Sequence, residues 1–189
     1  MDAPRRETRM SDALQRLIHK DEIRDLMARY CRGVDRADWD AVRATYHTDA
    51  YDDHGDYKGG IDGFIEFAKS RTGGATQVMH FLGECLIEFA KPDVAVAETY
   101  FFTAHTLGPE AQRQYGASAK GGPVQLSHYG RYVDRVERRA DVWRIAHRIV
   151  VFETTRLALG EVPPLKADWA GFSRDQRDPI FRMRAEVGL

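Results

Sequence analysis

The N-terminal part of the chain spaces its apolar residues with the period of a helix. Between Ser11 and Val34 the apolar positions lie on one helical face, and charged residues such as Lys20 and Arg32 occupy the other. The apolar face comprises Ile23, Leu26, Met27, Tyr30, Cys31 and Val34. The pattern predicts an amphipathic helix, and Gly33 indicates that it ends nearby.

Two shorter helices are predicted downstream. Asp38 is a typical N-cap for a helix over "WDAVRATY". Asp62 can open another helix through "GFIEFAKSR". The residues between them read "HTDAYDDHGDYKGG", which indicates turns with a short strand at the start.

After Gly73–Gly74 the pattern changes to that of β-strands. The segments "TQVMHFLGECLIEF" and "VAVAETYFFTAHTL" predict one long hairpin with its turn near Lys91–Pro92. A polar, glycine-rich loop over "PEAQRQYGASAKGGP" follows. The segments "VQLSHYGRYVDRVERR" and "VWRIAHRIVVFETTR", joined by the turn "AD", predict a second hairpin.

Helices followed by long antiparallel strands are typical of an α+β domain. We expect a cone-shaped barrel, in which a curved antiparallel sheet wraps around the N-terminal helices and encloses a pocket. The expected division is a flexible arm over 1–10, one barrel domain over 11–157, and a C-terminal tail over 158–189. The tail is expected to be irregular and to pack on the barrel or on a neighbouring subunit, with Trp169, Phe172 and Phe181 as anchors.

Composition narrows the class of protein. The chain has 189 residues, 43% hydrophobic and 30% charged, as in globular proteins, and its net charge of −1 argues against nucleic acid or an anionic membrane as partner. No apolar run approaches the ~20 residues of a membrane span, and the N-terminus lacks the apolar core of a signal peptide. Cys31 and Cys85 lie in apolar segments and indicate buried thiols in a reducing cytoplasm.

His80 is a polar residue in an apolar, β-rich segment. A buried imidazole must find partners, or a desolvation cost of about 1–3 kcal/mol is not recovered. His80 is therefore either a structural histidine with a satisfied ring or a residue placed for chemistry. Asp35, at the border of the helix's buried face, could orient its ring, and Tyr30 on that face could donate to a developing negative charge. Asp35 could equally cap the helix, and Tyr30 could equally be plain core.

The register of the first hairpin places a second histidine near His80. A turn near Lys91–Pro92 sets His80 opposite Thr103. His105 would then lie diagonal to His80 on the same face, because residues two apart share a face of the sheet. A slip of one residue would send His105 to the other face.

Other polar clusters favour ordinary structural roles. The segment "DDHGD" at 52–56 contains three carboxylates and His54 and is better explained by turn chemistry than by a metal site. His128 and His147 are expected to face solvent. Asp134 and Asp141 are expected to lie on a solvated strand face.

Four segments resemble a known family, the SnoaL-like branch of the nuclear transport factor 2-like superfamily. They read "RYCRGVDRADWD", "YHTDAYDDHGDYKG", "VMHFLG" and "SHYGRYVDRVERRADVWRIAHR", and the resemblance runs from about Leu17 to Arg156. Among its enzymes the chain is similar to bile acid 7α-dehydratase, scytalone dehydratase and hexachlorocyclohexane dehydrochlorinase. The resemblance implies cofactor-free elimination by an aspartate–histidine dyad.

The resemblance also assigns roles to particular residues. The dyad falls on Asp35 and His80, the family tyrosine falls on Tyr30, and His105 matches a second histidine of scytalone dehydratase. The late-strand arginine of the bile acid enzyme would fall near Phe152, so that role is empty or passes to Arg148.

The sequence thus favours a cytoplasmic dehydratase without cofactor or metal. We expect it to act on a hydroxylated cyclic, steroid- or polyketide-like substrate, with Asp35, His80 and Tyr30 catalytic and with His105 and Arg148 binding substrate. Its partners would be a small hydrophobic cyclic ligand and further copies of the chain, as a trimer or dimer. The alternatives are an isomerase of the same substrates and a non-catalytic partner like the small subunit of a ring-hydroxylating dioxygenase.

Overall fold

A computed structural model describes residues 3–114, 123–159 and 166–189, with side chains from Ser11 onward. Its helices are α1 (Ala3–Asp35), α2 (Trp39–Ala44), α3 (Ile61–Thr72), α4 (Pro109–Gln114) and α5 (Pro179–Glu186). Its strands are β1 (Tyr46–Asp53), β2 (Lys58–Gly60), β3 (Ala75–Lys91), β4 (Val94–Leu107), β5 (Val124–Arg139) and β6 (Val142–Leu159). None of the described helices is long and apolar enough to cross a membrane.

The six strands form one curled sheet in the order β2-β1-β6-β5-β4-β3, with the N-terminal helices packed against it. The predicted α+β cone is confirmed. One pairing differs from the expected antiparallel sheet, because β1 runs parallel to β6. The other four strands lie between β1 and β6 in the sequence. No hairpin turn therefore joins this pair, and the two strands need not be antiparallel.

The predicted apolar face of α1 is buried in full, and all six of its side chains belong to the core. The helix begins at Ala3, before the predicted start at Ser11, and ends at Asp35, close to Gly33 as predicted. A Cβ at Gly33 would lie 2.7 Å from a methyl of Val42, so this glycine allows α1 and α2 to pack closely. Asp38 caps α2 as predicted, and its Oδ1 accepts from Ala41 N at 3.0 Å.

Both long hairpins are confirmed. His80 pairs with Thr103, as the turn near Lys91–Pro92 predicted. Ala140 and Asp141 form the second turn, both with positive φ, which matches the twist of the flanking strands. Cys31 and Cys85 are buried free thiols.

Several local predictions were wrong. The segment after β4, predicted as a loop, begins with α4, and its residues 115–122 lie outside the described part. The tail contains α5, whose N-cap is Asp178, rather than being irregular. Of the expected anchors, Trp169 and Phe172 are exposed and Phe181 is partly buried, whereas Asp178 is buried. The polar contacts of Asp178 and Arg174 hold this segment.

Candidate active site

A cavity of about 270 Å³ lies between helices α1 and α3 and the concave face of the sheet. Its lining combines apolar side chains with polar ones, which include four histidines, Asp56 and Arg71. The lining residues are Tyr30, Val34, His54, Gly55, Asp56, Phe64, Phe67, Ala68, Arg71, Thr72, His80, Phe101, Thr103, His105, His128, Phe152 and Thr155. Cavities that hold small molecules have this mixture of apolar walls and few polar groups.

Asp35 and His80 are in direct contact at one wall. Nδ1 of His80 lies 2.6 Å from Oδ1 of Asp35, and Oδ2 of Asp35 accepts the backbone N–H of His80 at 3.0 Å. Both side chains are largely buried, with exposed fractions of 8% and 10%. The carboxylate therefore fixes both the position of the strand and the orientation of the ring. Since Nδ1 is engaged, Nε2 is the nitrogen available to the cavity.

His105 lies beside His80, on the face that the hairpin register predicted. The two ring centroids are 6.3 Å apart. Both ring nitrogens of His105 are buried and have no hydrogen-bond partner in the described part of the chain. Burial, followed by the proximity of His80 and His128, lowers the pKa of His105 to about 3. A neutral imidazole with an unsatisfied N–H can donate to a ligand in the cavity.

His128 also lines the cavity, so the expectation that it faces solvent was wrong. Its ring centroid lies 5.8 Å from that of His105, and Nδ1 is 2.9 Å from the hydroxyl of Thr155. Burial lowers its pKa to about 4. His128 is therefore neutral at physiological pH and adds a polar but uncharged group to the wall.

Tyr30 lines the cavity beneath the dyad. Its side chain is 1% exposed, and its ring contacts those of Tyr46, Phe64 and Tyr132. Burial raises the pKa of Tyr30 and outweighs the opposite effect of Arg148. The phenol stays protonated and can serve as a hydrogen-bond donor.

Arg148 lies under the cavity rather than in its lining. Its guanidinium forms two bonds of 2.7 Å with Asp134, and both side chains are completely buried. It is also stacked between the rings of Tyr30 and Tyr132, 4.1 Å from each centroid. Asp134 is thus not on a solvated strand face as predicted. Arg148 is held by Asp134 and supports Tyr30 from behind.

The segment "DDHGD", which was expected to have only a structural role in a turn, contains a second aspartate–histidine pair. Asp52 is 1% exposed, and its Oδ1 lies 3.0 Å from Nδ1 of His54. Its Oδ2 accepts from the hydroxyl of Tyr46 at 2.7 Å. The ring of His54 packs on Phe64 and faces the cavity.

Five aromatic rings of the cavity lining are neighbours in the order His80, His105, His128, Phe152 and His54. Successive centroids are 6.3, 5.8, 5.4 and 6.3 Å apart. The two aspartate-paired histidines are the first and last members of this series. Phe152, where the resemblance placed the family arginine, contributes an apolar ring between His128 and His54.

The site can perform acid–base chemistry on a bound molecule. Nε2 of His80 can accept a proton, and the O–H of Tyr30 and an N–H of His105 can donate hydrogen bonds to a bound molecule. Within the described residues, no group of three or more His, Cys, Asp or Glu side chains is arranged to hold a metal ion.

Comparison with known proteins identifies the family. Residues 15–149 match the SnoaL-like domain family. No curated protein matches the sequence. Among solved structures, hexachlorocyclohexane dehydrochlorinase LinA-type3 from Novosphingobium barchaimii superposes with a TM-score of 0.67 at 18% identity, covering 80% of this chain and 99% of that one.

Two further structures share the fold. A protein from Novosphingobium aromaticivorans, provisionally named a scytalone dehydratase, gives a TM-score of 0.63 at 16% identity and covers 82% of this chain and 99% of that one. A provisionally named aromatic ring hydroxylase from the same species gives 0.59 at 23% identity and covers 72% and 89%. The chain belongs to the SnoaL-like domain family.

Proposed function

We propose that the protein is a cofactor-free lyase that removes water from a hydroxylated cyclic ketone. The observation that carries the proposal is the 2.6 Å contact between Nδ1 of His80 and Oδ1 of Asp35 at the wall of the cavity. The structural neighbours named for dehydrochlorination and dehydration are consistent with it. A cavity near the lower end of ligand pockets, which span about 300–1,000 Å³, favours a substrate of one or two rings over a four-ring steroid.

The reaction begins with the removal of a proton next to the carbonyl group. Nε2 of His80 accepts this proton, and the carboxylate of Asp35 stabilises the imidazolium that forms. Burial from water strengthens this attraction.

The negative charge that develops on the substrate oxygen needs donors. The O–H of Tyr30 is held in its protonated form by burial, and His105 can donate one N–H. Preorganised donors of this kind contribute on the order of 3 kcal/mol each to transition-state stabilisation. Arg148 acts only through the face of Tyr30, because its N–H groups are directed to Asp134 and neighbouring side chains.

The leaving hydroxyl needs a proton, and we assign this role to His54. Nδ1 of His54 lies 3.0 Å from Oδ1 of Asp52, so the carboxylate orients the ring and can stabilise its protonated form. In the reaction the protonated ring gives the proton of Nε2 to the leaving group, which departs as water. One histidine then serves as the base and a second as the acid, as the elimination of water requires.

Mass spectrometry tests the proposal. Wild type, His80→Ala and the control His147→Ala, which alters a histidine outside the cavity, are each incubated with hydroxylated cyclic ketones of one to four rings. Loss of one water with wild type and the control, but not with His80→Ala, would support the lyase. Equal turnover by His80→Ala would contradict it.

Isomerisation is the second candidate, because the same base could return its proton to another carbon. It would change retention time at constant mass. A third possibility is that the chain is a non-catalytic partner of a ring-hydroxylating dioxygenase, which would co-purify with an iron-containing large subunit. Two aspartate-paired histidines in one cavity favour catalysis over the non-catalytic role. They also favour elimination over isomerisation, because an isomerase needs only one base that returns its proton.

Self-association and a cytoplasmic location stay predictions. Large apolar side chains are exposed on the strands, among them Phe81, Tyr100 and Tyr129. Exposed aromatic residues in neighbouring strands are typical of contact surfaces. Light scattering of the purified protein would distinguish a trimer, a dimer and a monomer.

A further inference from the structure

One arginine of the C-terminal tail contacts the elements that carry the dyad. Arg174 Nη1 donates to the carbonyl of Thr72 at 2.6 Å and to that of Ala75 at 3.4 Å. Its Nε donates to the carbonyl of Asp35 at 3.3 Å, and its Nη2 donates to that of Val34 at 3.4 Å. A single guanidinium thus joins the end of α1, the end of α3 and the start of β3.

These contacts suit the chemistry of an arginine. The last carbonyls of a helix have no partner within the helix and carry the negative end of its dipole. The guanidinium is a planar, permanently charged fork with five N–H donors, so it can satisfy carbonyls from two helix ends at once. One of those carbonyls belongs to Asp35 itself, and β3 continues from Ala75 to His80.

A second contact holds the tail at the same place. Asp178 is buried and forms an ion pair with Nε of Arg36 at 2.9 Å. Asp178 also accepts the backbone N–H groups of Ser173 at 3.0 Å and Ile180 at 3.2 Å, which shapes the chain around Arg174. The tail therefore binds the main-chain carbonyl of Asp35 through Arg174 and the side chain of Arg36 through Asp178.

We propose that Arg174 is a positioning residue for the dyad, so that the C-terminal tail is part of the active unit. By tying the end of α1 to the start of β3, it holds the Asp35 carboxylate at bonding distance from the ring of His80. The tail lies beyond residues 15–149, which match the family, so this device belongs to the chain outside the matched domain. The inference rests on the proposed use of the dyad.

The bond between His80 and Asp35 offers a readout that requires no substrate. A proton in a short, charge-assisted hydrogen bond is shielded from exchange with water and gives a strongly downfield NMR signal. In the full-length wild-type protein we expect such a signal, and His80→Gln should abolish it and so assign it.

Arg174→Ala should broaden or abolish this signal and speed its exchange by at least tenfold. Arg177→Ala is the matched control, because Arg177 lies in the same tail and, among the described residues, its guanidinium bonds to the exposed Asp175 and not to α1 or β3. Its signal should equal that of wild type. Asp178→Asn, which loosens the tail without removing Arg174, should weaken the signal in the same direction and serves if Arg174→Ala fails to fold.

The outcomes separate this inference from the proposed function. If the signal is present in wild type and unchanged in both Arg174→Ala and Asp178→Asn, Arg174 has only a structural role and the inference is overturned. If wild type has no signal that His80→Gln removes, the dyad bond itself is absent, and both the inference and the proposed mechanism fail.

Discussion

The carboxylate of Asp35 holds His80 at two points, the ring through Oδ1 and the backbone N–H through Oδ2. Asp35 is the last residue of α1, and His80 lies on β3, so the pair joins the helix layer to the sheet. This double contact orients the ring without a further side chain and leaves Nε2 for the cavity.

Replacing Asp35 tests the orienting role. Asp35→Asn keeps an oxygen for the backbone N–H of His80 but removes the charge that stabilises the imidazolium. We expect kcat/KM for water elimination to fall by about 10²–10⁴-fold, with little change in circular dichroism. A variant that retains wild-type turnover would show that His80 acts without the aspartate.

Replacing His54 tests its proposed role as the acid that protonates the leaving hydroxyl. We expect His54→Gln to lower elimination of a hydroxyl group by about 10²–10⁴-fold, because that group must leave as water. A substrate with the same ring and a 4-nitrophenoxy group in place of the hydroxyl needs no acid, because 4-nitrophenoxide leaves without a proton. His54→Gln should eliminate this group at a rate within a few-fold of wild type.

His128→Gln is the control for His54, because His128 lines the same cavity and has a hydroxyl rather than a carboxylate partner. Its effect should not depend on the leaving group. Equal losses for the two leaving groups with His54→Gln would show that His54 shapes the cavity rather than donating a proton.

The buried Arg148–Asp134 pair predicts a large and asymmetric effect on stability. Arg148→Met leaves the carboxylate of Asp134 buried without its partner, and we expect the free energy of unfolding in urea to fall by about 3–5 kcal/mol. The double variant Arg148→Met/Asp134→Leu should recover most of this loss. Lys69→Met, which breaks an exposed pair with Glu66, should change it by no more than about 1 kcal/mol.

The buried histidines predict a loss of stability in mild acid. The pKa of His105 is lowered to about 3 and that of His128 to about 4, whereas unfolded histidine titrates near 6.5. Between these values the unfolded state binds protons that the native state does not, so stability falls as pH drops from about 6.5 towards 4. Above about 6.5 the contribution of these groups is constant.

His105→Gln should flatten this dependence, since it removes the group with the larger shift. Between about pH 7 and pH 4, the part due to His105 amounts to about 3 kcal/mol. Urea midpoints of wild type and variant between about pH 7 and pH 4 measure it. Parallel curves for the two proteins would show that His105 does not resist protonation in the native state.

Much of the fold followed from local patterns. Helical periodicity identified the buried face of α1 from Ile23 to Val34. The turn at Lys91–Pro92 set the hairpin register and with it the pairing of His80 with Thr103 and the position of His105. These features depend on residues close in sequence, whose spacing and turn chemistry act within one element or one hairpin.

The aspartate–histidine pair needed more than periodicity. From the residues alone, Asp35 could orient the ring of His80 or cap the helix, and the resemblance to a family favoured the first role. The structure brings the two together at 2.6 Å.

Only the tertiary structure decided the remaining features of the site. His54 faces the cavity because α3 and β6 pack against its turn. Asp134 and Arg148 are cross-strand neighbours in one hairpin, and their burial depends on the helix layer that packs over this face of the sheet. Arg174 reaches Asp35 from the far end of the chain. A charged or polar residue has no periodic signature for burial, because the packing of the layers decides which face of its element is covered.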